Sequence, residues 1–459
     1  MDGGRQCRSR GDGKGGPLST GSRPDDQGPG CGVCLGCGID GGPPVDLSSN
    51  HRWRTIRQQS EQLLAPLEPE DLCLQGMPDA SPPKWHLAHT NWFFDCFVLT
   101  PHLEGWPGLD PLWGHLFNSY YEAAGSRHPR PQRGLLTRPG LDAILDWRRR
   151  VDDGLAQLLE GQSQRPAAGA RALEELVQLG LQHEQQHQEL LLMDLLDGFS
   201  RSPCEPTYRP AAAGPEADFG AGWRTSVPRD RPGWLEHPGG LVAIGHGGEG
   251  LHLDEFHFDN EAPRHRVWLE PFAIADQLVT NAEFAAFQAD GGYQRPDLWM
   301  SEGWAICQAR QWQGPCYWRE DDEFTLAGRQ PRQAHAPVRH LSWFEADAYA
   351  RWCGKRLASE AEWEVACERF GPDLGKAFGV LWQWTGSPYS PYPGFTPAPG
   401  AVGEYNGKFM CSQFVLRGSG YMTPECHSGP QRRTYRNFFP PASRWMASGI
   451  RLAQQGSQP

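Results

Sequence analysis

No stretch of the 459 residues strings together the ~20 apolar side chains that a membrane-spanning helix requires. Positive charge is also short. The 43 Lys and Arg are outnumbered by 55 Asp and Glu, for a formal net charge of −12 and a pI of about 5.7. Such a chain repels phosphate backbones, which argues against nucleic acid as a main partner. No hydrophobic core of a secretory signal precedes the 13 cysteines, and their odd number and irregular spacing do not suit a disulfide framework. Reduced thiols in a cytoplasmic protein are expected. What is abundant is 19 Trp, 41 Pro and 55 Gly, which predicts a loop-rich portion ordered by buried aromatics. The length predicts two or three domains.

Residues 1–47 contain almost nothing to bury and read as a disordered Gly-rich tail. Its Cys31, Cys34 and Cys37 have metal-like spacing but no fourth ligand nearby, so no role is assigned to them. From Ser48 the pattern becomes helical. Four helices are expected, within 48–68, from the double proline Pro82–Pro83 onward, over Gly140–Leu159 and over Ala170–Phe199. That predicts an up-and-down bundle over 48–200. A long aromatic and arginine-rich connection, about 104–139, interrupts it, and structureless loops of that length inside a domain are usually functional. Residues 201–232 read as a Pro/Ala/Gly linker. Over 233–459 short strand-like runs ("GLVAIG", "RHRVWLEPFAIA", "QFVLRGSG", "SGIRLA") alternate with the helices "TNAEFAAFQAD" and "SWFEADAYARWCG". The fold class is therefore multidomain, a helical bundle followed by an α+β domain.

In "LVQLGLQHEQQHQELLLMDLLDGF" His183 and His187 stand four apart on a helix otherwise built for a core, so both imidazoles share one face. Paired histidines inside a bundle are a common way to build a metal site. The third ligand comes from "WHLAH", and spacing alone leaves His86 and His89 as alternatives. Glu184 stands one residue after His183, about 100° round the helix, and Glu189 two residues after His187, about 200° round; both are expected to face elsewhere. Three neutral imidazoles suit zinc with a water, or iron(II) with room for substrate and dioxygen.

The segments "SPPKWHLAHTNWFF", "LFNSYYEAAGSRHPRPQRGLLTRP", "HEQQHQELLLMDL", "FDNEAPRHRV", "VRHLSWFEADAYARWCGKRLASEAEWE" and "TYRNFFPPASRW" occur in one order across residues 48–455. In this the chain resembles the sulfoxide synthases of ergothioneine biosynthesis (the EgtB type). The resemblance implies a DinB-like bundle followed by a C-type-lectin-like domain of the formylglycine-generating or sulfatase-modifying kind. It implies Fe(2+), O2 and a thiol, cysteine or γ-glutamylcysteine, joined to the imidazole C2 of hercynine as a sulfoxide. By the family motifs the ligands are His89, His183 and His187, and His86 is left a structural or supporting residue. Gln186 matches a glutamine that hydrogen-bonds the substrate imidazole. Tyr120 and Tyr121 match a pair that lines the iron site in one branch and are the candidate proton donors.

Hercynine carries a quaternary ammonium, which aromatic faces and amide oxygens can hold. Asn437, Phe438 and Phe439 match the family segment that contacts it. Actinobacterial relatives have Asn-Trp-Asp there, and the aspartate grips the ammonium of γ-glutamylcysteine. Its replacement by phenylalanine makes free cysteine a strong candidate. Arg130 and Arg133 are expected to bind the thiol substrate's carboxylate through guanidinium forks. The alternatives are an ovothiol-type synthase acting on histidine itself, a zinc-dependent thiol transferase built on the bundle, a formylglycine-generating oxidase and a non-enzymatic lectin-like module. The oxidase needs a cysteine pair in its last segment, and "RRTYRNFFPPASRW" has none.

Overall fold

The structure is a computed structural model that describes residues 52–161, 166–209, 233–247, 256–398, 401–424 and 432–456. The expected tail 1–47, with Cys31, Cys34 and Cys37, lies outside the described residues, as does 210–232 of the expected linker.

The bundle is built from α1 (Arg52–Leu64), α2 (Pro83–Phe93), α5 (Leu141–Glu160) and α6 (Ala167–Arg201). Pro83 opens α2 at a position where its missing N–H costs nothing. Every residue of α2 is buried, and it packs on α1, α5 and α6. It continues as a π-helix over Phe94–Leu99, a local widening that recurs at functional sites. Gly180 lets α6 approach α2 closely, since a Cβ there would stand 2.8 Å from the Phe94 ring. The connection between α2 and α5 is not structureless. It holds α4 (Pro111–Phe117), capped by the Asp110 carboxylate, and two 3-10 turns, Glu122–Ala124 and Arg130–Leu135.

A buried ionic cluster ties the four helices together. Glu184 of α6 accepts hydrogen bonds from Arg57 of α1 at 2.9 Å, from Ser60 at 2.6 Å and from Arg148 of α5. The Asn91 amide oxygen on α2 accepts from both guanidinium groups, at 2.9 and 3.0 Å. Glu184 thus faces away from the histidines, as its offset of one residue predicts.

The second domain contains the expected strands. An antiparallel sheet joins, in this order, β1 (Trp234–His237), β4 (Phe272–Ala275), β13 (Leu452–Gln455) and β8 (Arg356–Leu357). Another runs β11 (Asn437–Phe439), β10 (Phe414–Gly418), β9 (Trp382–Pro388) and β12 (Ser448–Gly449). The two expected helices form as Asn281–Ala289 and Trp343–Trp352. The sequence reading missed two more, Ser301–Ala309 and Glu360–Phe370. The second carries a legible start signal, a capping box in which Ser359 and Glu362 satisfy each other's backbone N–H groups. Glu360 then binds Arg436 through two hydrogen bonds, 2.8 and 3.0 Å, which anchors the chain just before β11.

The bundle and the second domain meet along α6. The Trp382 indole N–H donates to Glu189 at 2.6 Å and the Trp445 indole N–H to Asp194 at 3.1 Å. This explains why α6 is buried on nearly all sides from Val177 to Phe199. One face serves the bundle and the other serves the partner domain. Among the described residues no helix is long and apolar enough to cross a membrane.

Candidate metal centre

His89, His183 and His187 come together with one ring nitrogen from each, all within 4.8 Å of one another. All three side chains are buried. The His89 Nδ1–H donates to the Phe117 carbonyl at 2.6 Å, which leaves Nε2 as a bare lone pair 3.3 Å from His183 Nε2. Metal–nitrogen bonds of about 2.1 Å, meeting at tetrahedral or octahedral angles, separate their nitrogens by about 3.0–3.4 Å. The His89–His183 separation matches that spacing, and with the third nitrogen within 4.8 Å of both the group is compatible with a metal of the zinc or iron class, which imidazole ligands suit.

Burial holds the His183 imidazole down at about 3. Burial, then repulsion among the rings and from Arg133, holds His89 and His187 well below the usual histidine range. All three are neutral near pH 7, the form that ligates. His86 lies behind the triad. Its Nδ1 stands 2.9 Å from His187 Nδ1 and its Nε2 3.1 Å from Asp194 Oδ2. His86, which spacing alone leaves as an alternative to His89, thus stands outside the group of three.

Beside the triad a cavity of about 620 Å³ opens between the bundle and the second domain. Ten of the sequence-predicted residues bear on it directly or through the triad. His183, Gln186, His187, Tyr120, Arg130 and Arg133 line it from the bundle, and Asn437, Phe438 and Phe439 from β11, while His89 is joined to it only through the triad. Tyr121 differs. It is fully buried against Trp92 and Phe97 and does not reach the cavity, though its hydroxyl accepts from Tyr120 at 3.5 Å. Burial pushes the Tyr120 phenol well above 10, so it keeps its proton.

Gln186 is held from both sides by the second domain. Its amide N–H donates to the Tyr435 hydroxyl at 2.6 Å, and the Tyr405 hydroxyl donates to its amide oxygen. The Tyr405 ring also meets the His183 ring edge-on at 5.6 Å. The roles of these two tyrosines were missed in the sequence because both sit in irregular segments with no periodicity to mark them, although Tyr435 falls within the matching segment "TYRNFFPPASRW". Glu189 was expected to face elsewhere. It stays out of the triad but lines the cavity, where burial pushes its carboxyl up to about 7 against the hydrogen bonds from Trp382 and Thr423.

Arg133 is buried with its guanidinium 3.4 Å over the Trp85 ring, donating to the Ser81 hydroxyl at 2.8 Å. Burial, reinforced by neighbouring Arg130, holds its pKa well below the usual guanidinium value. It has no carboxylate within ion-pair distance among the described residues, so an anionic ligand would relieve it. Arg127 turns outward to Glu122. Phe438 stacks on Tyr389 at 4.1 Å and Phe439 meets Trp445 edge-on, so this wall is apolar and aromatic. Across the cavity mouth, Glu404 accepts the Glu122 and Ala123 backbone N–H groups, at 3.0 and 2.9 Å, and Lys408 binds the Tyr120 carbonyl. The second domain thereby holds the tyrosine loop in place.

Comparison with known proteins follows the same division. The DinB superfamily profile matches residues 52–191, and the sulfatase-modifying factor enzyme 1-like domain matches 225–378. Hercynine oxygenase of Mycolicibacterium smegmatis is 31% identical over 458 residues, covering 88% of this chain and 96% of that protein. Hercynine oxygenase of Mycobacterium tuberculosis is 29% identical over 448 residues, with the same coverage. The formylglycine-generating enzyme of Streptomyces coelicolor is 37% identical over 163 residues, which span 30% of this chain and 48% of that enzyme.

Proposed function

The chain belongs to the hercynine oxygenase family, and on that premise we propose that it is an iron(II)- and O2-dependent sulfoxide synthase joining a thiol to C2 of hercynine. The observation that carries this reading is Gln186, clamped between Tyr405 and Tyr435 one residue before His187, with its amide at the cavity wall. Iron(II) held by His89, His183 and His187 would supply the dioxygen and one-electron chemistry that C–S bond formation needs. The reaction balances as hercynine plus thiol plus O2 giving sulfoxide plus water. The new C–S bond replaces the imidazole C2–H and the S–H, one oxygen ends on sulfur, and the other leaves as water.

The protein's own groups orient the reactants. Gln186 presents an amide to the imidazole, and its two tyrosine partners prevent it from turning. The quaternary ammonium cannot donate hydrogen bonds and is accommodated by aromatic faces, which Phe438, Phe439 and Tyr405 offer. Arg133, desolvated and with no carboxylate at ion-pair distance among the described residues, takes the thiol substrate's carboxylate together with Arg130. A thiol transferase confined to the bundle would leave Tyr405, Tyr435 and Phe438 without a task. The test is an anaerobically purified, iron-loaded protein given hercynine, a thiol and O2, with the product weighed by mass spectrometry. No hercynine-dependent O2 uptake with cysteine or γ-glutamylcysteine would sink the reading.

Tyr120 is the proposed proton donor, because it lines the cavity with its phenol protonated and Tyr121 does not reach it. Tyr120→Phe is expected to retain iron and substrate binding while sulfoxide yield falls, with thiol oxidation to sulfinate taking over. Tyr121→Phe should give a smaller change in the same ratio, since it acts only through the Tyr120 hydroxyl. Equal sulfoxide-to-sulfinate ratios in wild type and Tyr120→Phe would return this pair to a packing role.

The phenylalanine wall predicts that cysteine rivals or exceeds γ-glutamylcysteine as thiol donor. A γ-glutamyl ammonium desolvated against Phe438 and Phe439 finds no carboxylate, at a cost of about 1–3 kcal/mol. That corresponds to roughly one to two decades in specificity. Of the acidic groups lining the cavity, Glu189, Asp194 and Asp197 are already engaged by Trp382, His86 and Arg201. Asp79 at the exposed rim is the remaining competitor, and Glu425, a further acidic candidate in sequence, lies outside the described residues. Competition between the two thiols at equal concentration measures the preference. A tenfold preference for γ-glutamylcysteine would show that Asp79 or another carboxylate replaces the missing one.

A further inference from the structure

A chain of hydrogen bonds runs from the triad into the domain interface. His86 stands three residues before His89 on α2, and Asp194 seven residues after His187 on α6, so helical spacing brings both behind the triad. Asp194 collects three donors. The His86 Nε2–H reaches Oδ2 at 3.1 Å, the Ser81 backbone N–H the same oxygen at 2.7 Å, and the Trp445 indole N–H reaches Oδ1 at 3.1 Å. His86, His187 and Asp194 are each less than 10% exposed.

The proton positions follow from donor and acceptor chemistry. A carboxylate only accepts, so the His86 proton sits on Nε2 and its Nδ1 is a lone pair. That lone pair is 2.9 Å from His187 Nδ1, which must therefore carry the His187 proton. His187 Nε2 is left bare, as a ligand nitrogen has to be. We infer that Asp194 and His86 form a positioning relay that locks His187 in its ligating tautomer and raises its donor strength, with Trp445 tying the relay to docking of the second domain. The inference rests on the reading of His89, His183 and His187 as the iron site. Both relay residues stand outside the group of three ligating nitrogens. The effect is that of a carboxylate–histidine pair behind a ligand, extended by one imidazole.

The experiment titrates Fe(II) anaerobically into the full-length apoprotein against a chromophoric chelator, with circular dichroism to establish folding. Asp194→Asn keeps the shape and removes the charge; His86→Phe removes both bonds of the relay. Each is expected to weaken Fe(II) binding about 10–100-fold, and Asp194→Asn should raise the Fe(III)/Fe(II) midpoint potential because an anionic partner favours the ferric state. Trp445→Phe, which touches only the far end, should weaken binding by less. Wild-type affinity in folded His86→Phe or Asp194→Asn overturns the relay. If neither variant folds, Trp445→Phe decides, and wild-type affinity there counts against it. His187→Ala separates the two readings. If it keeps full iron, the triad itself is wrong. If it loses iron while the relay variants bind normally, only the relay is wrong.

Discussion

Alanine at His89, His183 or His187 is expected to take iron occupancy and hercynine-dependent O2 consumption down to background. Three neutral nitrogens are the whole proposed ligand set, since the described residues bring no carboxylate or thiolate into the group. Removing one leaves two imidazoles, which hold iron(II) poorly at neutral pH. It also leaves a void next to buried polar atoms, so thermal unfolding of the apoprotein should be followed alongside metal analysis. His86→Ala is the internal contrast. It lies outside the triad, and some iron should remain, bound more weakly. Full iron in His187→Ala would falsify the site as drawn.

The parts of this arrangement that were legible beforehand are those with a period. His183 and His187 announce themselves because an i,i+4 pair on a helix of otherwise apolar period is hard to explain as packing. The choice of His89 over His86 was not legible from spacing, since residues three apart on a buried helix both point inward. The hydrogen-bond partners separate them, with the Phe117 carbonyl holding His89 and Asp194 holding His86. Phe438 and Phe439 lie on a short strand and line the cavity, but only the resemblance marked them out. Tyr405 carried no signal in sequence, and Tyr435 and Trp445 lie within the matching segment "TYRNFFPPASRW" without a role being assigned to them. Each comes from irregular chain whose position depends on long-range anchors such as Glu360–Arg436 and Glu404 on the tyrosine loop. Contacts of that separation leave no local pattern to read. The same holds for Glu189, whose place at the cavity is set by Trp382, 193 positions away.

Substituting Glu184 is expected to produce the largest loss of stability in the bundle. Its carboxylate is fully buried and shared by two guanidinium groups, Arg57 and Arg148. Such a cluster is not in itself a strong source of stability, because burying three charges is costly and an apolar trio of similar shape can do as well. Breaking it from one side is different. Glu184→Gln leaves two cations desolvated with only Asp152 and Glu61, both partly exposed, as counter-ions. The expected cost is about 3–5 kcal/mol, read from chemical denaturation of the apoprotein so that metal binding does not mask it. Replacing Arg148 with methionine in the same chain should cost less than the sum of the two single changes, because one unpaired charge is removed with the other. The pH dependence has a fixed sign. Burial pushes the Glu184 carboxyl up, but Arg148, Arg57 and Ser60 outweigh it and hold it at about 2. A carboxyl lowered on folding contributes stability in full above its unfolded value, near 4.3, and loses it as pH falls through about 2. Wild type should therefore lose stability over that interval more steeply than Glu184→Gln. The consequence reaches the metal centre through Asn91, which takes hydrogen bonds from both arginines and sits two residues after His89 on α2. A cluster that sets how α2 lies against α6 also sets the 3.3 Å between His89 and His183. Glu184→Gln should thus weaken iron binding even where the protein remains folded. A variant with both wild-type stability and wild-type iron affinity would show that Asn91 and the close contact at Gly180 hold the two helices without it.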